Sequence, residues 1–399
     1  MNEIQKTIEI LDKLISYPTI SSESNRDCID WISDYLKSYG ARCEISSEAE
    51  GKANIFATLG PDSDGGIILS GHTDVVPIIG QNWSSDPFKM KHENGAYYGR
   101  GTCDMKGFIA STLAMVPKYA KMNLKRPLHF AFTYDEEVGC LGARVLVNQL
   151  IESGLKPSAC IVGEPTSMRI IEGHKGMCEY TTEFKGLEGH SSQPELCVNA
   201  LEYAHRFINK LMEVRQELPG MAPEGSRFNP PYSTSSICAC HSGTTHNVIP
   251  SKAEVEWEMR VVQRTDREWL RDQMGRYVDE VLRPEMRKIS SAADIFETVC
   301  IETEGLEPIP DSEAVKIVQE LIGGNSTEVV AFGTEAGLFS RAGISSVLCG
   351  PGSIEQANKP DEYVSESQLV LCIKMLDRLA NELVSVSYTH LTLPTILLV

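Results

Sequence analysis

The sequence predicts an α/β fold: a layered domain with a largely parallel sheet, interrupted by a smaller α+β domain. Three observations carry this. Apolar strand-like runs alternate with helical patterns through the first part of the chain, as they do where helices cover a parallel sheet. From about Gly176 to Ser290 the order becomes strand, helix, two strands and helix, and from about Ala292 the first pattern resumes. Finally, metal-binding residue types stand at the ends of the apolar strands, where open α/β sheets bind their ligands.

The elements follow in order. "MNEIQKTIEILDKL" is an amphipathic helix, and "CIDWISDYLKSYGA" has helical periodicity that stops near Gly40. "NIFATLG" and "GIILSGHTDVVP" are strand-like, the second apolar enough for the middle of a sheet. "MKGFIASTLAMVPKYAKM" is a helix, "LHFAFTYDEEVG" a strand, "CLGARVLVNQLIESG" a helix and "ACIVGEPT" a strand. In the smaller domain "MCEYTTEFKG" is a strand, while "NALEYAHRFINKLMEVRQEL" and "REWLRDQMGRYVDEVL" are helices. "AEVEWEMRV" alternates strictly, with Ala253, Val255, Trp257, Met259 and Val261 on one face. One apolar and one wet face suit an antiparallel sheet covered by two helices. "LPGMAPEGSRFNPPYS" is a Pro- and Gly-rich loop. "AVKIVQELIG", "EVVAFGTEAGLFSRAG" and "SSVLCGPG" return the chain to the first domain. The expected boundaries are 1–174 and 292–385 for the larger domain and 175–291 for the insert. The end, "SVSYTHLTLPTILLV", is β-rich and uncharged; residues 386–399 are taken as a non-native tail, so His390 is set aside.

The 399 residues are 42% hydrophobic and 23% charged, as in an ordinary soluble globular protein. No apolar run is long enough to span a bilayer, and the N-terminus lacks the order of a signal peptide, so a cytoplasmic protein with no membrane partner is expected. A net charge of −18 disfavours nucleic acid and anionic membranes. The 12 cysteines are scattered without a CxxC pair, and several, such as Cys160 and Cys349, sit in apolar runs. They read as small buried hydrophobes rather than disulfides or a zinc cluster.

Four strand ends carry potential metal ligands: His72 and Asp74, Asp104, Glu136 and Glu137, and Glu164. His72 and Asp74 are two apart and point the same way in extended chain, so Asp74 can accept from the imidazole and fix its tautomer. Asp104 follows a glycine turn and precedes a helix, where a capping role is its rival. Glu136 and Glu137 are neighbours: one can bind metal while the other acts as base on a water. Glu164 at an apolar strand's end would be costly without a cation or partner. Together they form a hard, oxygen-rich site suited to zinc, cobalt or manganese, and shared carboxylates would allow two ions.

"SGHTDVVP", "YGRGTCDMKG", "DEEVG", "GEPT", "GLEGHSSQP", "GTTHNVIP" and "GPGSIEQANKPDEY" resemble, in sequence and spacing, the M20 family of di-zinc amidohydrolases and peptidases. The resemblance runs from "TISSES" to about Val384, and "EGHKG", "FGTEAGLF" and "CGPGSIEQA" favour its N-acyl amino acid deacylases. It implies a layered α/β zinc-hydrolase catalytic domain, a ferredoxin-like lid and dimerisation domain, and a homodimer. It implies hydrolysis of an N-acyl amino acid, with N2-acetyl-L-ornithine as the substrate. Alternatives are succinyl-diaminopimelate desuccinylase, another aminoacylase, a carboxypeptidase, or a one-metal or inactive homologue acting as a binding protein. By the resemblance His72 and Glu164 complete one zinc site, Glu137 serves the other, Asp104 bridges them, Glu136 is the general base and Asp74 orients His72. His190 would stabilise the tetrahedral intermediate, often across the dimer, and Asn247 and Arg260 would hold the substrate carboxylate. From the residues alone, Arg260 shares its strand face with Glu254, Glu256 and Glu258, as on a solvated charged face. Glu335 and Thr334, after "EVVAF", are expected near the substrate pocket, with a capped helix start as the other explanation. Lys175 in "HKG" is expected there too or as a hinge neighbour.

The loop "CGPGSIEQANKPDEYV" departs from the family pattern: where it normally carries a histidine ligand, this chain has Asn358. An amide oxygen binds zinc more weakly than imidazole does. One firmly held ion, or a looser second one such as manganese, is the expectation.

Overall fold

A computed structural model describes residues 2–385; the tail at 386–399 lies outside the described residues. The larger sheet has eight strands. In order across it they are Arg42–Ser46, Asn54–Leu59, Leu128–Thr133, Ile67–His72, Ala159–Val162, Ser345–Leu348, Ile170–His174 and Thr327–Val330. The four middle strands from Leu128–Thr133 to Ser345–Leu348 are parallel. The flanks are mixed: Arg42–Ser46 and Asn54–Leu59 form an antiparallel hairpin, which needs only a short loop. On the other side Ile170–His174 runs antiparallel to Ser345–Leu348.

Helices cover both faces because the central strands are apolar on both sides. Ile67 and Leu69 pack under Glu3–Ile15, Gly107–Tyr119 and Glu366–Val384, through Leu11, Phe108, Leu113 and Leu376 among others. Ile68, Ala131 and Val162 face Leu141–Ser153 and Ala336–Arg341, through Leu146, Leu150 and Phe339. Cys160 and Cys349 are buried among them. Among the described residues no helix is long and apolar enough to cross a membrane.

The second sheet has four antiparallel strands, in the order Thr234–Ser242, Lys252–Val261, Gly176–Lys185, Asp294–Thr303. With helices Ala200–Val214 and Arg264–Tyr277 on one side, this is the βαββαβ order of a ferredoxin-like sheet. The alternation read at 253–261 holds: Ala253, Val255, Trp257, Met259 and Val261 are all buried against Phe207, Leu211, Leu270 and Met274. The sequence boundary at 291 leaves out the strand Asp294–Thr303, which pairs with Gly176–Lys185 throughout. We propose that the insert ends after Thr303.

Trp257 is the keystone of this core. It is 1% exposed, lies 4.4 Å from the Tyr180 ring centroid, and donates its indole N–H to Thr182 Oγ1 at 3.1 Å. Trp257→Ala empties that space and is expected to cost about 3–5 kcal/mol. Chemical denaturation of the variant would measure it.

Candidate metal centre and active site

The site lies at the carboxyl ends of the parallel strands, as open α/β sheets dictate. His72 closes the Ile67–His72 strand; Asp135 to Glu137 follow Leu128–Thr133; Glu164 follows Ala159–Val162. Glycine before the last of these leaves room for Phe108: a Cβ on Gly163 would lie 1.9 Å from Phe108 Cγ. Asp104 arrives from the other side, in an irregular turn that enters the Gly107–Tyr119 helix.

His72 Nε2 is 3.0 Å from Asp104 Oδ1 and 4.0 Å from Glu164 Oε1. One ligand atom from each of His72, Asp104 and Glu164 lies within 4.8 Å of the others. The other imidazole nitrogen, Nδ1, sits 2.9 Å from the Asp74 carbonyl and 3.5 Å from its Oδ1. A carbonyl only accepts, so Nδ1 carries hydrogen and Nε2 is aimed at the acids. The backbone oxygen of Asp74, more than its carboxylate, thus does the orienting expected of that residue. Its carboxylate instead accepts from Ser21 Oγ at 2.7 Å, the Glu136 N–H at 3.0 Å and the Glu137 N–H at 3.3 Å, fixing the turn that presents both glutamates.

The electrostatics of the cluster follow from crowding. Asp74, Asp104, Glu136, Glu137 and Glu164 converge on one imidazole. Burial, then the nearby acids, pushes the Glu137 and Glu164 carboxyls well above the usual range. Burial likewise pushes Glu136 up to about 8, against the pull of His72. Burial opposes charge on His72, but hydrogen bonds with Asp104 and Asp74 outweigh it and hold its pKa well above ordinary. Asp74 is held low despite burial, by His72 and Ser21.

Two buried oxygens, Glu137 Oε1 and Glu164 Oε1, have no hydrogen-bond partner within the protein. A native interior rarely tolerates such groups, and a cation satisfies them directly. The donor set of one imidazole and several carboxylates fits zinc, cobalt or manganese.

A cleft of about 240 Å³ opens beside these residues. Glu136, Glu137, Asp104 and Glu164 line it, and so do Arg260 and Asn358. Arg260 reaches it from the smaller sheet, paired with Glu258 at 2.9 Å. Asn358 has a backbone φ of 62°, a left-handed conformation in which asparagine and histidine are both enriched. Its residue type therefore answers a backbone demand, and histidine fits the same backbone. We expect Asn358→His to tighten binding of a second zinc ion by at least about tenfold. Unchanged affinity for the second equivalent in a zinc titration would remove Asn358 from the ligands.

Other expected residues lie elsewhere. Glu335 is fully buried beneath the site, with its two oxygens accepting from Ser70 Oγ at 2.6 Å and Thr133 Oγ1 at 2.7 Å. It sits under the cleft rather than in its wall, with both oxygens already engaged. Thr334 Oγ1 caps the following helix at Ala336 N–H and lies 2.9 Å from His174 Nε2. Lys175 donates to the carbonyls of Pro230 and Tyr232. His190 and Asn247 are exposed and adjacent on the ribbon Gly189–His190 with Val248–Ile249, and neither lines the cleft of this chain.

Sequence reasoning missed Ser21, which holds Asp74, and Lys52. Lys52 Nζ bonds Asp135 Oδ1 at 2.7 Å and also reaches the Ser21 carbonyl, bracing the turn before Glu136. The signal available was a lone lysine in "EGKAN" ahead of a buried strand.

This fold and donor set are those of a metal-dependent hydrolase. Residues 68–382 match peptidase family M20/M25/M40, and the chain belongs to that family. It is 33% identical over 390 residues to the acetylornithine deacetylase of Pasteurella multocida (strain Pm70), covering 96% of this chain and 99% of that protein. With the acetylornithine deacetylase of Shigella sonnei (strain Ss046) it shares 33% identity over 371 residues, 91% of this chain and 94% of the other. Among solved structures, aminopeptidase PepT from Bacillus cereus ATCC 10987 superposes with a TM-score of 0.74 at 17% identity, covering 96% of this chain and 100% of that one. An M20 family metallo-carboxypeptidase from Sulfolobus solfataricus gives 0.71 at 17% identity, covering 95% and 99%. These two share the fold.

Proposed function

We propose that the protein hydrolyses the amide bond of an N-acyl amino acid, with N2-acetyl-L-ornithine as substrate and L-ornithine and acetate as products. The observation that carries the reaction type is the pair of unpartnered buried carboxylate oxygens, Glu137 Oε1 and Glu164 Oε1, beside His72 and Asp104. The names of the relatives at 33% identity support the substrate.

His72, Asp104 and Glu164 would hold one zinc ion, and Asp104, Glu137 and Asn358 a second, looser one, with cobalt or manganese as substitutes. Such a cation polarises a carbonyl and acidifies water in a closed site. Glu136 is the base: it lines the cleft, and its carboxyl, held near neutral pH, can take a proton from water and return it to the leaving nitrogen. Arg260 is the cation placed to meet the substrate's carboxylate. His190 and Asn247 would have to come from a second copy of the chain in a homodimer, since their own cleft does not include them.

The test is a comparison of N2-acetyl-L-ornithine with N-succinyl-L,L-diaminopimelate as substrates, with zinc or cobalt added. Turnover of the acetyl compound at a kcat/KM at least about a hundredfold higher is expected, because a pocket shaped for one substrate rejects the other's extra charge. Preference for the succinyl compound would move the protein to the desuccinylase activity. No hydrolysis of either, with metal bound, would sink the reading.

A further inference from the structure

We propose that Glu362 is the positioning residue that sets the backbone of Asp104 for metal binding and ties it to the loop carrying Asn358. The inference rests on the metal-site reading above.

Glu362 is 0% exposed, and both oxygens of its carboxylate are engaged within the protein. Oε1 accepts the N–H groups of Gly101 at 3.1 Å, Cys103 at 2.9 Å and Asp104 at 3.0 Å. Oε2 accepts from Arg100 Nη1 at 2.7 Å. The Glu362 carbonyl adds the Gly99 N–H at 2.9 Å. Backbone N–H groups converging in this way form a nest that ordinarily receives an anion. Here the anion comes from a side chain of the protein itself, about one turn of chain beyond Asn358.

The Arg100 half of the pair completes a circuit. Nη2 bonds Gln81 Oε1, and Gln81 Nε2 donates to the Asn358 carbonyl at 2.9 Å. Nη1 also reaches the Lys359 carbonyl at 3.3 Å, and the guanidinium lies 5.0 Å from the Trp83 ring centroid. From the Asp104 amide the contacts run through Glu362, Arg100 and Gln81 to the backbone of Asn358. One buried carboxylate thus sets two of the cleft's walls.

The bond to Asp104 is the one that bears on metal. Its carboxylate stands 3.0 Å from His72 Nε2, while its backbone, at φ −120° and ψ 93°, is not helical and its N–H is held by Glu362 Oε1. Ligand distances tolerate only about 0.2 Å of error. Without Glu362, three amides lose their acceptor and Asp104 is free to drift by more than that. Such outer-shell losses weaken metal binding by about 10–100-fold.

The test uses the full-length protein stripped with a chelator. It is titrated with Zn2+ against a chromophoric competitor, and with Co2+ followed by visible absorption. Wild-type protein is expected to bind; if it binds neither ion, the metal-site reading fails and this inference with it. Given wild-type binding, Glu362→Ala is expected to weaken zinc by about 10–100-fold and to alter the Co2+ bands. Glu362→Gln keeps an oxygen for the amides but turns a donor towards Arg100, and about tenfold weakening is expected. Asp266→Asn is the comparison: Asp266 is as deeply buried, bonded to Ser233 at 2.5 Å in the smaller domain, and should change neither affinity nor spectrum. Wild-type affinity and spectrum in folded Glu362→Ala overturn the proposal. Where the alanine variant does not fold, the same result with Glu362→Gln overturns it.

Discussion

Glu136→Gln is expected to lower kcat by about 10²–10⁴-fold while bound metal stays in place. The substitution keeps the volume and the backbone, so the Glu136 N–H still reaches Asp74 Oδ1 at 3.0 Å and the turn keeps its shape. Only the ability to accept a proton is lost. Glu136 is suited to that task because it lines the cleft and burial raises its carboxyl above the ordinary glutamate range, so it can hold a proton it has taken. An ordinary exposed glutamate would return the proton too readily and hold it too weakly. The change belongs in kcat, with KM moving little, because the residue acts on the reacting atoms. Metal content measured alongside separates this outcome from loss of the ion. Near-normal turnover with metal bound would remove Glu136 from the role of base.

The second large effect concerns Glu164. In the wild-type protein, zinc at a thousandfold above its Kd should add about 4 kcal/mol of stability, since it binds only the folded chain. Glu164→Gln should abolish most of that gain and raise the apparent Kd by at least about a hundredfold. The stripped protein should respond in the opposite sense. Glu164 is buried with Oε1 unpartnered, and burial followed by the Asp104 charge raises its pKa well above the ordinary value. A carboxyl whose folded pKa exceeds its unfolded one contributes stability at low pH that is lost as pH rises through the folded value. Stripped wild-type protein therefore weakens as pH climbs out of the usual carboxylate range, and the glutamine variant, which keeps the raised carboxyls of Glu136 and Glu137, should weaken less steeply. Thermal melts with and without zinc, at acid and neutral pH, would read both signs. A stripped variant less stable than stripped wild type at neutral pH would contradict the account.

How much of this could be read from the sequence depended on distance along the chain. Strands buried on both faces announced themselves by composition, and the alternation from Ala253 to Val261 gave the smaller domain's core residue by residue. His72, Asp104, Glu136, Glu137 and Glu164 could be singled out because each closes a local pattern. The strand Asp294–Thr303 could not, because its outer residues Phe296 and Val299 are exposed and a bulge between Val299 and Ile301 breaks the period of two. Arg42–Ser46 is a half-exposed edge strand whose apolar face is only Cys43 and Ile45, too short an alternation to stand out. The bracing groups were hidden for a different reason. Glu362 and Arg100 are 262 residues apart, and Lys52 and Asp135 are 83 apart, so no local spacing joins them. The same holds for Glu335, whose place beneath the site depends on Ser70 and Thr133 from two other strands.

The strand Asp294–Thr303 has a further consequence. Its last residue pairs with Met177, and just beyond, His174 and Leu306 exchange both backbone hydrogen bonds at 3.0 Å. The chain therefore leaves for the smaller sheet and comes back at a single stapled point. The segment between those two crossings also grips the larger sheet elsewhere: Arg227 donates to the Thr327 carbonyl at 3.0 Å and pairs with Glu172. With both crossings side by side and a core of its own, the insert is a unit that sets Arg260 against the cleft from outside the eight strands.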